Sequence, residues 1–222
     1  MRLILFSIGS LFLVTFAGCQ ISQADAAHAA GNESTLPEPA DRAEDVEPRK
    51  EGERAPAVAI LDHQGERVNT AALYRQQPTL FVFYRGGWCP YCTEHLRELA
   101  MIEDDLKNLG VQMVAVSPDR PEKLQESIGE HELSYTLLSD SDIRLARALG
   151  LAFRVDDQTH SMLLGHDIDI EAASGRSHRV LPVPAVYLID TEGTIRFAQW
   201  NPDYRERISG DAIVRAAETI AE

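Results

Sequence analysis

Apolar positions divide the chain into short alternating elements from about residue 55 onward. Val58, Ile60 and Leu61, followed by Asp62-His63-Gln64-Gly65 and Val68, predict a hairpin with Gly65 in the turn. Thr70–Tyr74 reads as a helical turn. Thr79–Tyr84 is continuously apolar or β-prone, the pattern of a strand covered on both faces. After Arg85-Gly86-Gly87 the spacing changes, with Leu96, Leu99, Ile102, Leu106 and Leu109 on one helical face and Gly110 as the stop. A strand over Val111–Val116, a helix from Pro121 to about His131, a strand over Tyr135–Leu138 and a helix over Asp142–Leu149 follow. Val186–Ile189 and Ile195–Phe197 flank Asp190-Thr191-Glu192-Gly193 as a second hairpin, and Ile213, Val214, Ala217 and Ile220 place a terminal helix over Asp211–Ala221. Strands alternating with helices predict an α/β domain, a partly parallel central sheet with helices on both faces. Residues 152–180 show no clear period and are expected to form an irregular insertion. The histidines there, His160, His166 and His178, lack ligand spacing and read as surface residues.

The pattern differs before residue 53. Met1-Arg2 and the apolar run to Gly18 form an export leader over residues 1–19, too short to be a spanning helix. The run ends in Phe16-Ala17-Gly18-Cys19, which resembles the lipobox of bacterial lipoproteins; Phe16 stands where an aliphatic residue is usual. The resemblance implies lipidation of Cys19 and a membrane anchor on the periplasmic side. Ordinary secretion with cleavage near Ala24-Asp25-Ala26 is the alternative. Residues 20–52, rich in Ala, Glu, Asp and Pro, are expected to be a disordered spacer, since they offer too little apolar surface to offset their ordering entropy. About 170 residues then remain over 53–222, enough for one domain.

The formal net charge of −14 argues against nucleic acid and anionic lipid as electrostatic partners. Three cysteines are present, and with Cys19 in the leader the domain holds the pair Cys89 and Cys92. Such a pair closes almost no loop, so it is a poor staple but well suited to reversible oxidation or metal binding. It lies where a buried strand gives way to a helix, with Pro90 at a position that needs no intrahelical N–H bond. The free N–H groups and the dipole of a helix start favour a thiolate, the reactive form, and Cys89 is nearer that start.

With these elements placed, residues 53–222 resemble thioredoxin-like proteins of the AhpC/TSA, peroxiredoxin-like family. The resemblance is carried by Ala55-Pro56, Phe83-Tyr84-Arg85-Gly86-Gly87-Trp88-Cys89-Pro90-Tyr91-Cys92, Val116-Ser117-Pro118-Asp119, Leu138-Ser139-Asp140, and Leu181 to Asp190 with Gly193. It implies a thioredoxin-like fold with an N-terminal hairpin extension, and thiol chemistry without a nucleotide or organic cofactor. Typical peroxiredoxins place Pro seven and Thr or Ser three residues before the peroxidatic cysteine, where Val82 and Gly86 stand before Cys89. Val183-Pro184 occupies the place of the thioredoxin cis-proline that helps dock an extended substrate, and Cys89-Pro90-Tyr91-Cys92 is similar to the glutaredoxin C-P-Y-C.

The expected activity is an exported thiol oxidoreductase of antioxidant character, cycling between the dithiol and the disulfide of Cys89 and Cys92. Cys89 attacks a peroxide to give a sulfenic acid, or a disulfide to give a mixed disulfide, and Cys92 resolves either. The expected partners are that peroxide or disulfide and a thiol electron donor. Arg85 stabilises the thiolate or polarises a peroxide, or else is a plain surface arginine; Trp88 shields the sulfur or simply packs; Tyr91 is a spacer. A thioredoxin-like disulfide oxidoreductase without peroxidase activity is the alternative. A copper carrier using Cys89, Cys92 and His95 is a more distant one, since His95 reads as a polar residue on an exposed face.

Overall fold

The computed structural model describes residues 36–131 and 133–221. Its centre is β3 (Thr79–Phe83), buried along its whole length. On one side β3 runs parallel to β4 (Gln112–Ser117), which runs parallel to β5 (Thr136–Ser139). On the other side lie antiparallel β8 (Ala185–Ile189) and β9 (Ile195–Trp200). The predicted hairpin, β1 (Ala59–Asp62) and β2 (Arg67–Asn69), completes the far edge by pairing with β5. The sheet order is thus β2-β1-β5-β4-β3-β8-β9, a mixed sheet whose parallel pairs need helical crossovers.

Pleating sends alternate residues to opposite faces. Phe81 and Phe83 join a core with Ile60, Val114, Val116, Leu138 and Tyr187, capped by α1 (Thr70–Gln76) and α5 (Arg144–Ala148). Leu80 and Val82 face the other core, with Ala115, Leu137 and Val186. That second face is covered by α2 (Pro90–Met101), α3 (Glu103–Asn108), α4 (Pro121–His131) and α8 (Gly210–Ala221), and it holds both cysteines.

The helix expected to continue to Leu109 is instead two. Ile102, with φ −102° and ψ 3°, leaves the helical conformation, and Glu103, Asp104 and Asp105 form the first turn of α3, where its N-terminal N–H groups favour acidic residues.

Two expectations are corrected. Residues 36–52, placed in the disordered spacer, lie against the domain: Ala40 N–H donates to Ala152 O (2.9 Å), Arg49 N–H to Leu149 O (2.9 Å) and Gly52 N–H to Ile195 O (2.8 Å). Leu36, Ala43 and Val46 add apolar contacts to the core. The segment is held mainly through its backbone, which composition does not reveal. Residues 152–180 are also regular: β6 (Ala152–Arg154) pairs with β7 (Val180–Pro182), and α6 (Asp157–Leu164) and α7 (Ile170–Ser174) lie between them. Val155, Leu163, Ile170 and Leu181 form a small core there, too widely spaced in sequence to give a period. Its histidines are not all superficial. His160 is buried, and His178 accepts from Val180 N–H at Nδ1 (2.9 Å), which leaves Nε2 to donate to Ser141 O (2.8 Å). His166 is exposed.

Candidate active site: a dithiol at a helix start

Beyond β3 the chain stays tethered to β4 for one residue, as Tyr84 N–H donates to Val116 O (3.0 Å), then turns through Arg85-Gly86-Gly87-Trp88. Glycine is required at the first of the two turn positions, and the second is closely packed. Gly86 has φ +146°, and a Cβ there would overlap Trp88 Nε1; a Cβ on Gly87 would overlap Ser127 Oγ. Asp119, buried at the end of β4, holds the turn by accepting Gly87 N–H at Oδ2 (2.8 Å), and Ser117 Oγ donates to the same oxygen (3.1 Å). Burial raises the Asp119 carboxyl to about 6, against the lowering effect of the Gly87 N–H.

Cys89 is the N-cap of α2 and Pro90 its first residue, as the sequence predicts. Cys89 O accepts the N–H groups of Cys92 (2.9 Å) and Thr93 (3.0 Å), which fixes the two sulfurs one turn apart on the inner side of the helix. Both cysteines are free thiols. Cys89 is lowered to about 6, first because the Cys92 thiol donates a hydrogen bond to its sulfur; burial opposes this, and the guanidinium groups of Arg85 and Arg207 add to it. Cys92 is pushed well up, first by burial and then by its bond to Cys89 and the Cys89 charge. Arg207 Nη2 donates to Cys92 Sγ at 3.5 Å.

Arg85 is not a plain surface residue. It is 8% exposed, with its guanidinium 4.1 Å from the Tyr204 ring centroid and 5.0 Å from that of Trp88. Such cation–π contacts contribute about 0.5–2 kcal/mol each. Trp88 packs against the sulfur-bearing core and the small core of the 152–180 region. Tyr91, expected to be a spacer, is half-exposed and meets Tyr204 edge to face, centroids 5.7 Å apart.

The remaining predicted residues fall differently. Val183 is fully buried and its N–H already donates to Leu151 O (2.9 Å). Pro184 lies beside the site, its carbonyl accepting Asn201 N–H (3.1 Å), but among the described residues no peptide bond is cis. The loop expected from Val183-Pro184 thus differs from the thioredoxin arrangement: the Val183 N–H is bonded to Leu151 and the Pro184 carbonyl to Asn201. His95 is also corrected from exposed to buried. Its Nε2 lies 3.1 Å from Ile208 O, and burial lowers it to about 4. With His95 turned to Ile208, the ligand set of the copper reading is not assembled, and among the described residues no three His, Cys, Asp or Glu cluster as a metal site. Cys19 lies outside the described residues.

Sequence reasoning missed Arg207 and Tyr204, which lie in the polar stretch between β9 and α8 where no periodicity marks them. Two spaces adjoin the site. An open groove of about 650 Å³ runs between residues 41–44 and 201–205 with Arg85 and Pro184 in its lining, and a cavity of about 150 Å³ is lined by His95, Pro184, Asn201 and Arg207.

The sequence profile of the AhpC/TSA family matches residues 52–198. Peroxiredoxin Bcp of Escherichia coli (strain K12) is 35% identical over 106 residues, 48% of this chain and 67% of that protein. The thiol-disulfide oxidoreductase ResA of Halalkalibacterium halodurans is 25% identical over 101 residues, 45% of this chain and 56% of ResA. Among solved structures, a peroxiredoxin-like protein from Aquifex aeolicus superimposes with a TM-score of 0.63 at 18% identity, covering 78% of this chain and 89% of that one. The match over most of the sheet and the helix that carries both thiols leads to one conclusion: the chain belongs to the AhpC/TSA family and is a thiol-dependent oxidoreductase of the thioredoxin fold.

Proposed function

We propose that this protein is a thiol peroxidase in which Cys89 attacks a hydroperoxide and Cys92 resolves the product. The observation that carries the reading is the asymmetry of the pair: a Cys89 held near 6 by the Cys92 hydrogen bond and two arginines is a thiolate at neutral pH, while Cys92 keeps its proton. Attack on the peroxide O–O bond transfers one oxygen to Cys89 as a sulfenic acid, and the other oxygen leaves as alcohol or water after protonation. Condensation with Cys92 yields the disulfide, which a thiol donor reduces.

A small peroxide suits the site better than a polypeptide. Cys89 is only 2% exposed, and the Val183 N–H and the Pro184 carbonyl are already bonded within the protein. The disulfide-oxidoreductase reading keeps the support of the C-x-x-C spacing and the likeness to ResA. Stopped-flow oxidation of the reduced protein by hydrogen peroxide and by an alkyl hydroperoxide, set beside insulin reduction, separates the two. Rapid peroxide consumption with slow insulin reduction is expected; the reverse result overturns the peroxidase reading. We also place the protein on the exported side of a membrane through lipidation of Cys19. Fatty-acid labelling that is lost in Cys19→Ala is the expected result.

A further inference from the structure

Arg207 lies outside the segment matched by the family profile, on the stretch that leads from β9 into α8. Its Nη1 donates to Glu206 O (3.1 Å), which fixes the guanidinium plane, and its Nη2 reaches Cys92 Sγ (3.5 Å). Arg85 is held apart from it between the Trp88 and Tyr204 rings. Arg207 adds to the lowering of Cys89 as Arg85 does, but its direct contact is with Cys92. Arg207 also lines the cavity of about 150 Å³, together with His95 and Pro184.

We infer that Arg207 is a catalytic residue of the resolving half-reaction, holding Cys92 as the thiolate that attacks the oxidised Cys89. The inference rests on the peroxidase reading for its substrate, but its electrostatic part does not. In the reduced protein the Cys92 proton bridges to the Cys89 sulfur, and the Cys89 charge opposes a second ionisation. Oxidation to the sulfenic acid removes that charge. What then acts on Cys92 is burial, which favours the thiol, against the Arg207 guanidinium, which favours the thiolate. The other groups near the sulfur are the Arg85 backbone, Tyr84, whose phenol burial keeps neutral, and His95, neutral above about 4. Arg207 is therefore the cation in direct contact with this sulfur. The thiolate attacks the Cys89 sulfur, the S–S bond forms as the S–O bond breaks, and the departing hydroxide takes up the proton that Cys92 gave, leaving as water.

The two halves of the inference have separate readouts. In Cys89→Ser, ultraviolet titration of the remaining Cys92 thiolate reports on Arg207 without any peroxide. Adding Arg207→Gln is expected to raise the Cys92 pKa by about one unit or more, and Arg207→Lys by less. In the otherwise intact protein, tryptophan fluorescence after a peroxide pulse, with Trp200→Phe leaving Trp88 as the reporter, resolves sulfenic acid formation and disulfide closure. Arg207→Gln is expected to slow closure about ten-fold more than it slows the first phase. Guanidinium ion at millimolar concentration, which the cavity can accommodate once the side chain is shortened to Arg207→Ala, is expected to restore part of the closure rate. An unmoved Cys92 titration, or equal slowing of both phases by Gln and Lys without guanidinium rescue, overturns the inference and leaves Arg207 a structural residue. Absence of any first phase in the unmodified protein overturns the peroxidase reading instead, while the Cys89→Ser titration still judges Arg207.

Discussion

Cys89 and Cys92 share a helix turn and a residue type, yet their surroundings push them in opposite directions. Cys89 caps the helix and receives the Cys92 proton as a hydrogen bond, with Arg85 nearby. Cys92 is one turn deeper, packed into the core face of the sheet, and bears the larger desolvation cost. Burial of the pair is nearly equal, 2% and 1%, so exposure does not separate the two sulfurs. Position relative to the helix start and direction of the shared hydrogen bond do.

The most severe way to break this asymmetry is to remove each sulfur in turn. Cys89→Ser is expected to abolish peroxide turnover, whereas Cys92→Ser still forms a sulfenic acid that persists and can be trapped with dimedone. A Cys89→Ser protein that keeps full turnover reverses the assignment. Next in size is Gly86→Ala. With φ +146° and no room beside Trp88 Nε1, the turn must move, and a ~100-fold loss of peroxide rate together with a shift in Trp88 emission is expected. Native emission with normal kinetics removes the steric role given to Gly86.

On the Cys92 side, His95 offers a pH test. Its folded pKa of about 4 lies below the unfolded 6.5, so the unfolded chain binds the extra proton between those values. The His95 contribution to stability is therefore retained above pH 6.5 and falls by about 3 kcal/mol as pH drops to 4, at roughly 1.4 kcal/mol per unit. The raised carboxyls of Asp119 and Asp140 titrate in the same window with the opposite sign. His95→Gln keeps a donor for Ile208 O without titrating, so the stability difference between the two proteins, from urea melts between pH 4 and 7, should change by most of that amount. The smallest expected effect sharpens the Cys89 side. Alkylation of Cys89 by iodoacetamide should rise through pH 6 and level off near pH 7, and Arg85→Gln should move that midpoint up by about one unit. An unchanged midpoint leaves the Cys92 hydrogen bond as the cause.

Much of the scaffold was legible in the chain. A strand buried on both faces must be apolar throughout, so β3, β4 and β8 stand out, and turn chemistry marks Gly65, Gly110, Gly150 and Gly193, all with positive φ. The segments that were misread share one property: their order depends on partners far away. Residues 36–52 carry few large side chains and are secured by backbone bonds to Leu149, Ala152 and Ile195. The 152–180 region closes over a core of widely separated apolar residues. His95 looked exposed because it is itself polar and follows Thr93 and Glu94, while the loop before α8 covers it.

The same division holds at the site. Local sequence sets the order strand, glycine turn, cysteine, proline, helix, because backbone sterics and cap chemistry act over a few residues; that was enough to pick out the thiol pair and to place Cys89 at the helix start. Which charges face the sulfurs was decided only when the chain closed on itself, bringing Arg207 from beyond β9 to Cys92 and Tyr204 onto Arg85. Folding likewise tied the Val183 N–H to Leu151 and denied it to a substrate. Electrostatic and hydrogen-bond partners are selected by distance in space, and spacing along the chain carries no record of it.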